Sequence, residues 1–522
     1  VRGACALAGV TVLIVVGAGA PGAFPAASAD ADGGRPDLSR YYTQKIKWSA
    51  CEGATGDVAE ATGHAKDVRC GKVTVPLDYG QPTKGTVDLA MIKMRSSASG
   101  KPRGSLLLNF GGPGGPGVSA LAGSQKEFGY LSKGYDVVSF DPRGVGESAP
   151  VSCGDAADAT EEPGAGEKGS DDPAALLAQL REVAAECAAK SGPVLGHIGT
   201  VNVSRDMDVM RQALGDKKLN YLGFSYGTRL GAVYAAQFPK KVGRMVLDGV
   251  DTLTEPVAEQ SLATAEGRQT ALDNFLAWCT GNAGCVFGTD ARAARQGMVQ
   301  LIRDMDEMPL QAADGGEFTG QDVVGVLSQA LYSRQAWPAL SQALGGLLAD
   351  GDPRALIRMS GGLGNGPVGM SWRAEDVPAD NMTAALMAVN CADDPDRPDA
   401  ARIEKEVGTL RKEFEEASPV FGKSMLMPVL LCFGRPAGTD YIRADVRDVK
   451  TPKMLLVGTR GDPATPYRWT EETAERLGSQ AVVLDNKGDG HTGYLGSTCV
   501  RDKVDGFLLY GEKPTAGTCA AE

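Results

Sequence analysis

Short apolar runs closed by turn residues recur along the chain. Ser105–Asn109 (SLLLN) and Tyr135–Phe140 (YDVVSF) have this form, the pattern of parallel strands buried on both faces. Leu219–Gly223, Arg244–Asp248, Met454–Gly458 and Ala481–Leu484 repeat it. Lys72–Pro76 and Val87–Met94, separated by a Gly/Pro turn, read as earlier strands. Helical periodicity lies between them. Val203, Met207, Met210 and Leu214 share one face and Gly215 follows, which predicts a helix over Val203–Leu214. Tyr226–Phe238 is Ala-rich and stops at Pro239, predicting another. Strand–helix–strand alternation gives an α/β fold class with a mostly parallel central sheet covered on both faces. From residue 251 to 427 helical periodicity dominates and strand signals vanish, with breaks at Asp314–Gly316 and Gly361–Gly369. The expected organisation is therefore a core over residues 30–250, an inserted helical cap over 251–427, and the rest of the core over 428–522.

The first 29 residues have a different character. Arg2 precedes an apolar run, Ala6 to Ala20, and Ala27-Ser28-Ala29 precede Asp30. This predicts a secretory signal cut after Ala29. The run is glycine-rich and shorter than the ~20 residues a membrane span needs, so no stable membrane anchor is expected. Cysteine usage agrees with export. Of 11 cysteines, Cys5 leaves with the signal, and the even remainder reads as disulfides. Sequence leaves connectivity open; pairing of sequential neighbours is the simplest arrangement. With no C-x-x-C and only 3 histidines, no metal site is expected, and no organic cofactor. A net charge of −12 argues against nucleic acid or an anionic membrane as partner. The acidic stretch Asp155–Asp172 reads as a solvated loop.

One short motif raises a chemical question. Gly223-Phe224-Ser225-Tyr226-Gly227 stands where a buried strand turns into a helix. A serine hydroxyl is a weak nucleophile unless it has a base, a group orienting that base, and donors for the oxyanion. Glycines on either side let strand and helix approach closely around an exposed, strained Ser225. Of the three histidines, His64 lies in a polar stretch and His197 in a Gly/Pro loop. His491 lies in a glycine-rich loop after the last predicted strand, where it can reach over the sheet edge. Asp462, just past strand Met454–Gly458, is the expected orienting acid; Asp489, two residues from His491, is its rival. The order Ser225, Asp462, His491 is that of α/β-hydrolases. Phe110–Gly117 (FGGPGGPG) follows the strand Ser105–Asn109, and its clustered glycines let backbone amides point inward. Gly112 and Tyr226 are the expected oxyanion donors.

These stretches bring a family into view. Asn109–Gly117 (NFGGPGGPG) resembles the HGGPG-type loop of the proline iminopeptidase family of α/β-hydrolases, and Asp141–Ser148 (DPRGVGES) resembles its D-x-R-G-x-G-x-S turn. Asp206–Arg211, Leu219–Thr228, Phe238-Pro239, Val246–Val250 and Asp462–Pro466 resemble the secreted tripeptidyl aminopeptidases of actinobacteria. The resemblance runs from about Trp48 to Cys519 and is weakest in the helical insertion. Phe110 stands where the wider family has histidine, and the secreted tripeptidyl members are also without that histidine. What the resemblance implies is a secreted serine exopeptidase that releases tripeptides from peptides with a free N-terminus, through an acyl-enzyme. Release of single N-terminal residues, and an esterase or lipase with the same triad, stay open as alternatives. A free-amine requirement calls for carboxylates to hold the substrate ammonium. Asp393 and Asp394, beside Cys391, fit that task and fit equally a capping pair before Pro395.

Overall fold

The computed structural model describes residues 36–51, 68–154, 173–311, 316–363 and 376–522. The expected signal segment, His64, the acidic stretch and parts of both Gly/Pro breaks lie outside the described residues.

The apolar runs form one sheet. Its strands are β1 (Val68–Pro76), β2 (Thr86–Met94), β3 (Ser105–Asn109), β4 (Asp136–Phe140), β5 (Leu219–Phe224), β6 (Val242–Asp248), β9 (Met454–Gly461), β10 (Ala481–Asp489) and β11 (Gly517–Cys519). Their order is β1-β2-β4-β3-β5-β6-β9-β10-β11. β1, β2 and β4 pair antiparallel, and every other neighbour pair is parallel. Alternate residues enter opposite cores, as a period of two requires. Leu107, Tyr221, Leu247 and Leu456 pack on one face; Leu106, Leu108, Leu222, Val246 and Val457 pack on the other. Both faces are buried, which is why these strands read as unbroken apolar runs.

The helix predicted from Val203 covers Thr200–Ala213 (α1), with Val203, Met207 and Met210 in the core. The next is Tyr226–Gln237 (α2). Between β6 and β9 the described residues form helices joined by loops, and their strands are a short antiparallel pair, β7 (Leu310–Gln311) and β8 (Glu317–Phe318). Helices Val257–Thr280 (α3), Ala291–Glu307 (α4), Gly320–Ala330 (α5) and Trp337–Asp350 (α6) share a core of their own, including Phe275, Met298, Leu327, Trp337 and Leu340. The insertion also sends a helix back to the sheet: Asn381–Asp393 (α7) buries Ala384, Ala385 and Ala388 in the core that holds α1 and α2. Five disulfides join sequential neighbours: Cys51–Cys70, Cys153–Cys187, Cys279–Cys285, Cys391–Cys432 and Cys499–Cys519. Among the described residues no helix is long and apolar enough to cross a membrane.

Candidate active site

Ser225 follows β5 directly and precedes the first residue of α2. Its backbone is in a strained region, φ 54° and ψ −127°. Crowding around it explains the flanking glycines. A Cβ on Gly223 would lie 2.5 Å from the Gly227 carbonyl oxygen, and one on Gly227 would lie 2.7 Å from Asn109 Oδ1. Neither position has room for a side chain. The turn is fixed from three sides. Ser225 N–H donates to the Asp248 carbonyl at 2.9 Å, Thr228 Oγ1 donates to the Ser225 carbonyl at 2.6 Å, and Tyr221 OH donates to the Gly227 carbonyl at 2.7 Å.

The glycine-rich loop after β3 leans on this turn. Gly111 has φ 88°, and a Cβ there would sit 2.9 Å from Ser225 Cβ and 3.3 Å from the Tyr226 nitrogen. Gly111 N–H is taken by Asn109 Oδ1 at 3.0 Å, and Gly112 is the next amide along the loop. Tyr226 opens α2, where main-chain N–H groups have no intrahelical acceptor. Phe110 stacks on Phe224 at 6.1 Å between ring centroids, so its ring lies against the elbow as an apolar wall.

Asp462 and His491 meet beyond the ends of β9 and β10. His491 Nδ1 lies 2.9 Å from Asp462 Oδ1 and 3.0 Å from Oδ2. The carboxylate also accepts from the amides of Ala464 and Thr465 at 2.8 Å, from Thr465 Oγ1 at 2.9 Å and from the Thr492 amide at 3.1 Å. Burial pushes the Asp462 carboxyl up, but His491 and the two turn amides outweigh it and hold the group below the usual carboxylate range. For His491 burial works against the charged ring. The Asp462 carboxylate outweighs it, helped by Asp248 and Asp251, so the imidazole titrates above its ordinary value.

Asp489 is not at the ring. Its carboxylate accepts from Asn274 Nδ2 at 2.8 Å and from Arg334 at 2.7 Å. Asp393 and Asp394 lie elsewhere again. Asp393 accepts from the Thr200 amide at 2.9 Å and hydroxyl at 2.6 Å, and it lies 3.6 Å from Arg229. Thr200 Oγ1 is also 2.6 Å from Tyr226 OH, so a chain of hydrogen bonds runs from Asp393 to the residue after Ser225. Asp394 accepts from the Val257 amide at 2.8 Å and pairs with Arg443. Both acids line a small cleft with Arg229, Glu255, Asn390 and Arg443. Three carboxylates face two guanidiniums there, leaving the lining net negative.

Two further contributors are not among the residues the sequence pattern points to. Asp248, fully buried at the end of β6, accepts Ser225 N–H with its main chain. With its side chain it accepts the amides of Gly493 and Tyr494, each at 2.8 Å. It thereby joins the serine turn to the histidine loop. A carboxylate closing a buried parallel strand, at the carboxyl end of the sheet where sites form, is the signal that could have found it. The other is Tyr332, whose carbonyl accepts His491 N–H at 2.9 Å. A main-chain acceptor carries no signature in sequence.

A nine-stranded, mostly parallel sheet with a strained serine elbow after β5 and a carboxylate–imidazole pair beyond later strands is an α/β-hydrolase of the serine type. A family profile described as "TAP-like protein" matches residues 418–520. Serine protease Hip1 of Mycobacterium tuberculosis is 32% identical, over 93% of this chain and 93% of its own. Tripeptidyl aminopeptidase of Streptomyces lividans is 32% identical, over 87% of this chain and 84% of its own. Carboxylesterase B of M. tuberculosis is 31% identical, over 91% and 89%. The chain belongs to the tripeptidyl aminopeptidase-like family of α/β-hydrolases, and it is a serine hydrolase.

Proposed function

We propose that the protein is a secreted serine exopeptidase that releases tripeptides from peptides with a free N-terminus. Ser225 Oγ attacks the scissile carbonyl while His491 accepts its proton. The amides of Gly112 and Tyr226 hold the oxyanion, and His491 then protonates the departing amine. Water, deprotonated by His491, cleaves the acyl-enzyme and restores Ser225. Asp462 fixes the imidazole tautomer through Nδ1–H and stabilises the imidazolium. The observation that carries this reading is the bidentate approach of His491 Nδ1 to Asp462, joined through Asp248 to the strained Ser225 turn. The peptide substrate and tripeptide product rest on two relatives, one named a tripeptidyl aminopeptidase and the other a serine protease.

Residues 251–427 serve in this reading as the cap that closes one end of the cleft. Asp393 and Asp394 supply the negative lining that attracts the substrate ammonium. Their arginine and amide partners hold the pair in place, and the surplus carboxylate in the cleft favours a cation. Export through residues 1–29 suits the five disulfides, which persist in oxidising compartments.

The test is mass spectrometry of products from unmodified and N-acetylated peptides, with Ser225→Ala as control. Tripeptides from the free peptides, with acetylated ones cut far more slowly, are expected. Single residues would replace the tripeptide assignment with an aminopeptidase that cuts after one residue. Equal cleavage of acetylated peptides and simple esters would favour the esterase chemistry that the name of one relative carries.

A further inference from the structure

His491 sits in a loop that leaves β10 at Asp489 and reaches helix Thr498–Asp505 only nine residues later. Within it Thr492 holds φ 68°, unusual for a β-branched residue. A general base must be held to within a fraction of an ångström of its working position, so something outside the loop has to fix it. Asp462 and Asp248 do so from the sheet side. On the opposite side the loop meets the helical insertion at three points.

Tyr332, two residues beyond α5, accepts His491 N–H and sets its ring edge-on to the imidazole at 4.9 Å. Gly490 approaches the same carbonyl so closely that a Cβ would sit 2.9 Å from it. Asp489, the rival orienting acid in sequence, instead accepts from Arg334 and, in α3, Asn274. The acid side is gripped as well: a Cβ on Gly267 of α3 would lie 3.1 Å from Pro466 and 3.2 Å from the Asp462 carbonyl oxygen.

We propose that Arg334 and Asn274, acting through Asp489, are positioning residues for His491, so that the insertion clamps the catalytic base in addition to covering substrate. This rests on the reading of His491 as the base. The groups facing the imidazole are Asp462, Asp248 and Asp251 from the sheet side. The Tyr332 ring faces it from the insertion, with Arg268 of α3 beside that ring. The Asp489–Arg334 pair stands at the base of the loop. Removing Arg334 leaves an uncompensated carboxylate two residues from the ring, which favours the imidazolium.

The experiment compares Arg334→Met, Arg334→Lys, Asp489→Asn and the double variant Arg334→Met/Asp489→Asn, with His491→Ala as control. It reads kcat and KM on a small ester, the rate of Ser225 labelling by a fluorophosphonate, and the pH profile of kcat. Arg334→Met should lower kcat and labelling about tenfold, leave KM within about twofold, and move the acidic limb to higher pH. Arg334→Lys should recover most of the loss. The double variant should return the limb to its original pH and be no slower than the worse single variant. Asn274→Ser is the second handle should Arg334→Met fold poorly, with a smaller loss of kcat expected. Wild-type kcat, labelling and limb in folded Arg334→Met overturn the clamp, as does a kcat loss without limb displacement or rescue by lysine. Full labelling of His491→Ala would instead overturn the assignment of the base, whatever Arg334 does.

Discussion

Asp248 bonds the serine turn through its carbonyl and the histidine loop through both carboxylate oxygens. Burial pushes its carboxyl up to about 6, against the pull of the Tyr494 and Gly493 amides. Between the unfolded value near 3.8 and about 6, the folded protein binds the extra proton, so this group lowers stability as pH rises through that window. The cost at neutral pH is on the order of 3 kcal/mol. Asp248→Asn should therefore flatten the fall in stability between pH 4 and 6 relative to the wild type, read by thermal melts. Its amide offers one acceptor where two N–H groups need one, so kcat should drop roughly tenfold to a hundredfold. Stability kept while activity falls is the expected split; loss of both would make Asp248 a fold residue only. His491 carries the second prediction at this scale. Its raised pKa places the acidic limb of kcat/KM above the ordinary imidazole value. Asp462→Asn should move that limb to lower pH, because burial then dominates, and should cost about four orders of magnitude in kcat. The strained turn at Ser225 and the meeting of Asp462 with His491 were legible because each residue follows a recognisable strand. Asp248 carries no such mark, since a strand-end aspartate looks like any turn residue until its amide partners, 245 and 246 residues away, are known.

Elements place these residues, and glycines show where elements meet without slack. Gly223→Ala puts a methyl 2.5 Å from the Gly227 carbonyl, a main-chain atom that can move only if the elbow moves. A loss of about 1–3 kcal/mol in stability and of most fluorophosphonate labelling at Ser225 is expected. Gly325, in the exposed face of α5 with no atom of the described residues within 4 Å of its would-be Cβ, is the internal contrast. Gly325→Ala should raise stability by about 0.5–1 kcal/mol and leave labelling unchanged, as denaturant titration and labelling together would show. Strand β3 was legible to the residue because both faces are buried and its ends carry turn chemistry. β10 runs five residues beyond its predicted end, since Asp485–Asp489 is polar and paired largely through the main chain. β11 gave no signal at all: three residues with two exposed have no alternation to read, and its place is fixed by pairing with β10 and the Cys499–Cys519 bridge. The insertion was legible as helical. Its contacts with the loops that carry Asp462 and His491 run through a carbonyl, a glycine face and a half-exposed arginine, none of which periodicity can reveal.

Across the whole molecule the disulfides divide by what they tie together. Cys279–Cys285 closes a turn of 6 residues at the end of α3, while Cys391–Cys432 spans 41 and holds the end of α7 to the segment leading into β9. The pairing of neighbours was the simplest arrangement consistent with the cysteine spacing; which bridge matters for function depends on what lies beside it. Asp393 and Asp394 come two and three residues after Cys391, and the cleft they line reaches Arg443 beyond Cys432. Loop-closure entropy predicts about 2 kcal/mol for loss of the short bridge and about 4 kcal/mol for loss of the long one. Paired serine variants should differ accordingly in denaturant titrations. The functional consequences should separate more sharply than the stabilities. Without Cys391–Cys432 the acid pair loses the covalent tie beside it and keeps only its arginine, threonine and amide partners, while Ser225, His491 and Asp462 keep every contact described. KM for peptides with a free N-terminus should then rise several-fold with fluorophosphonate labelling unchanged, and N-acetylated peptides should show no comparable rise. A matching rise for acetylated peptides would place the ammonium site elsewhere on the cap, and a loss of labelling would show that the bridge supports the nucleophile as well.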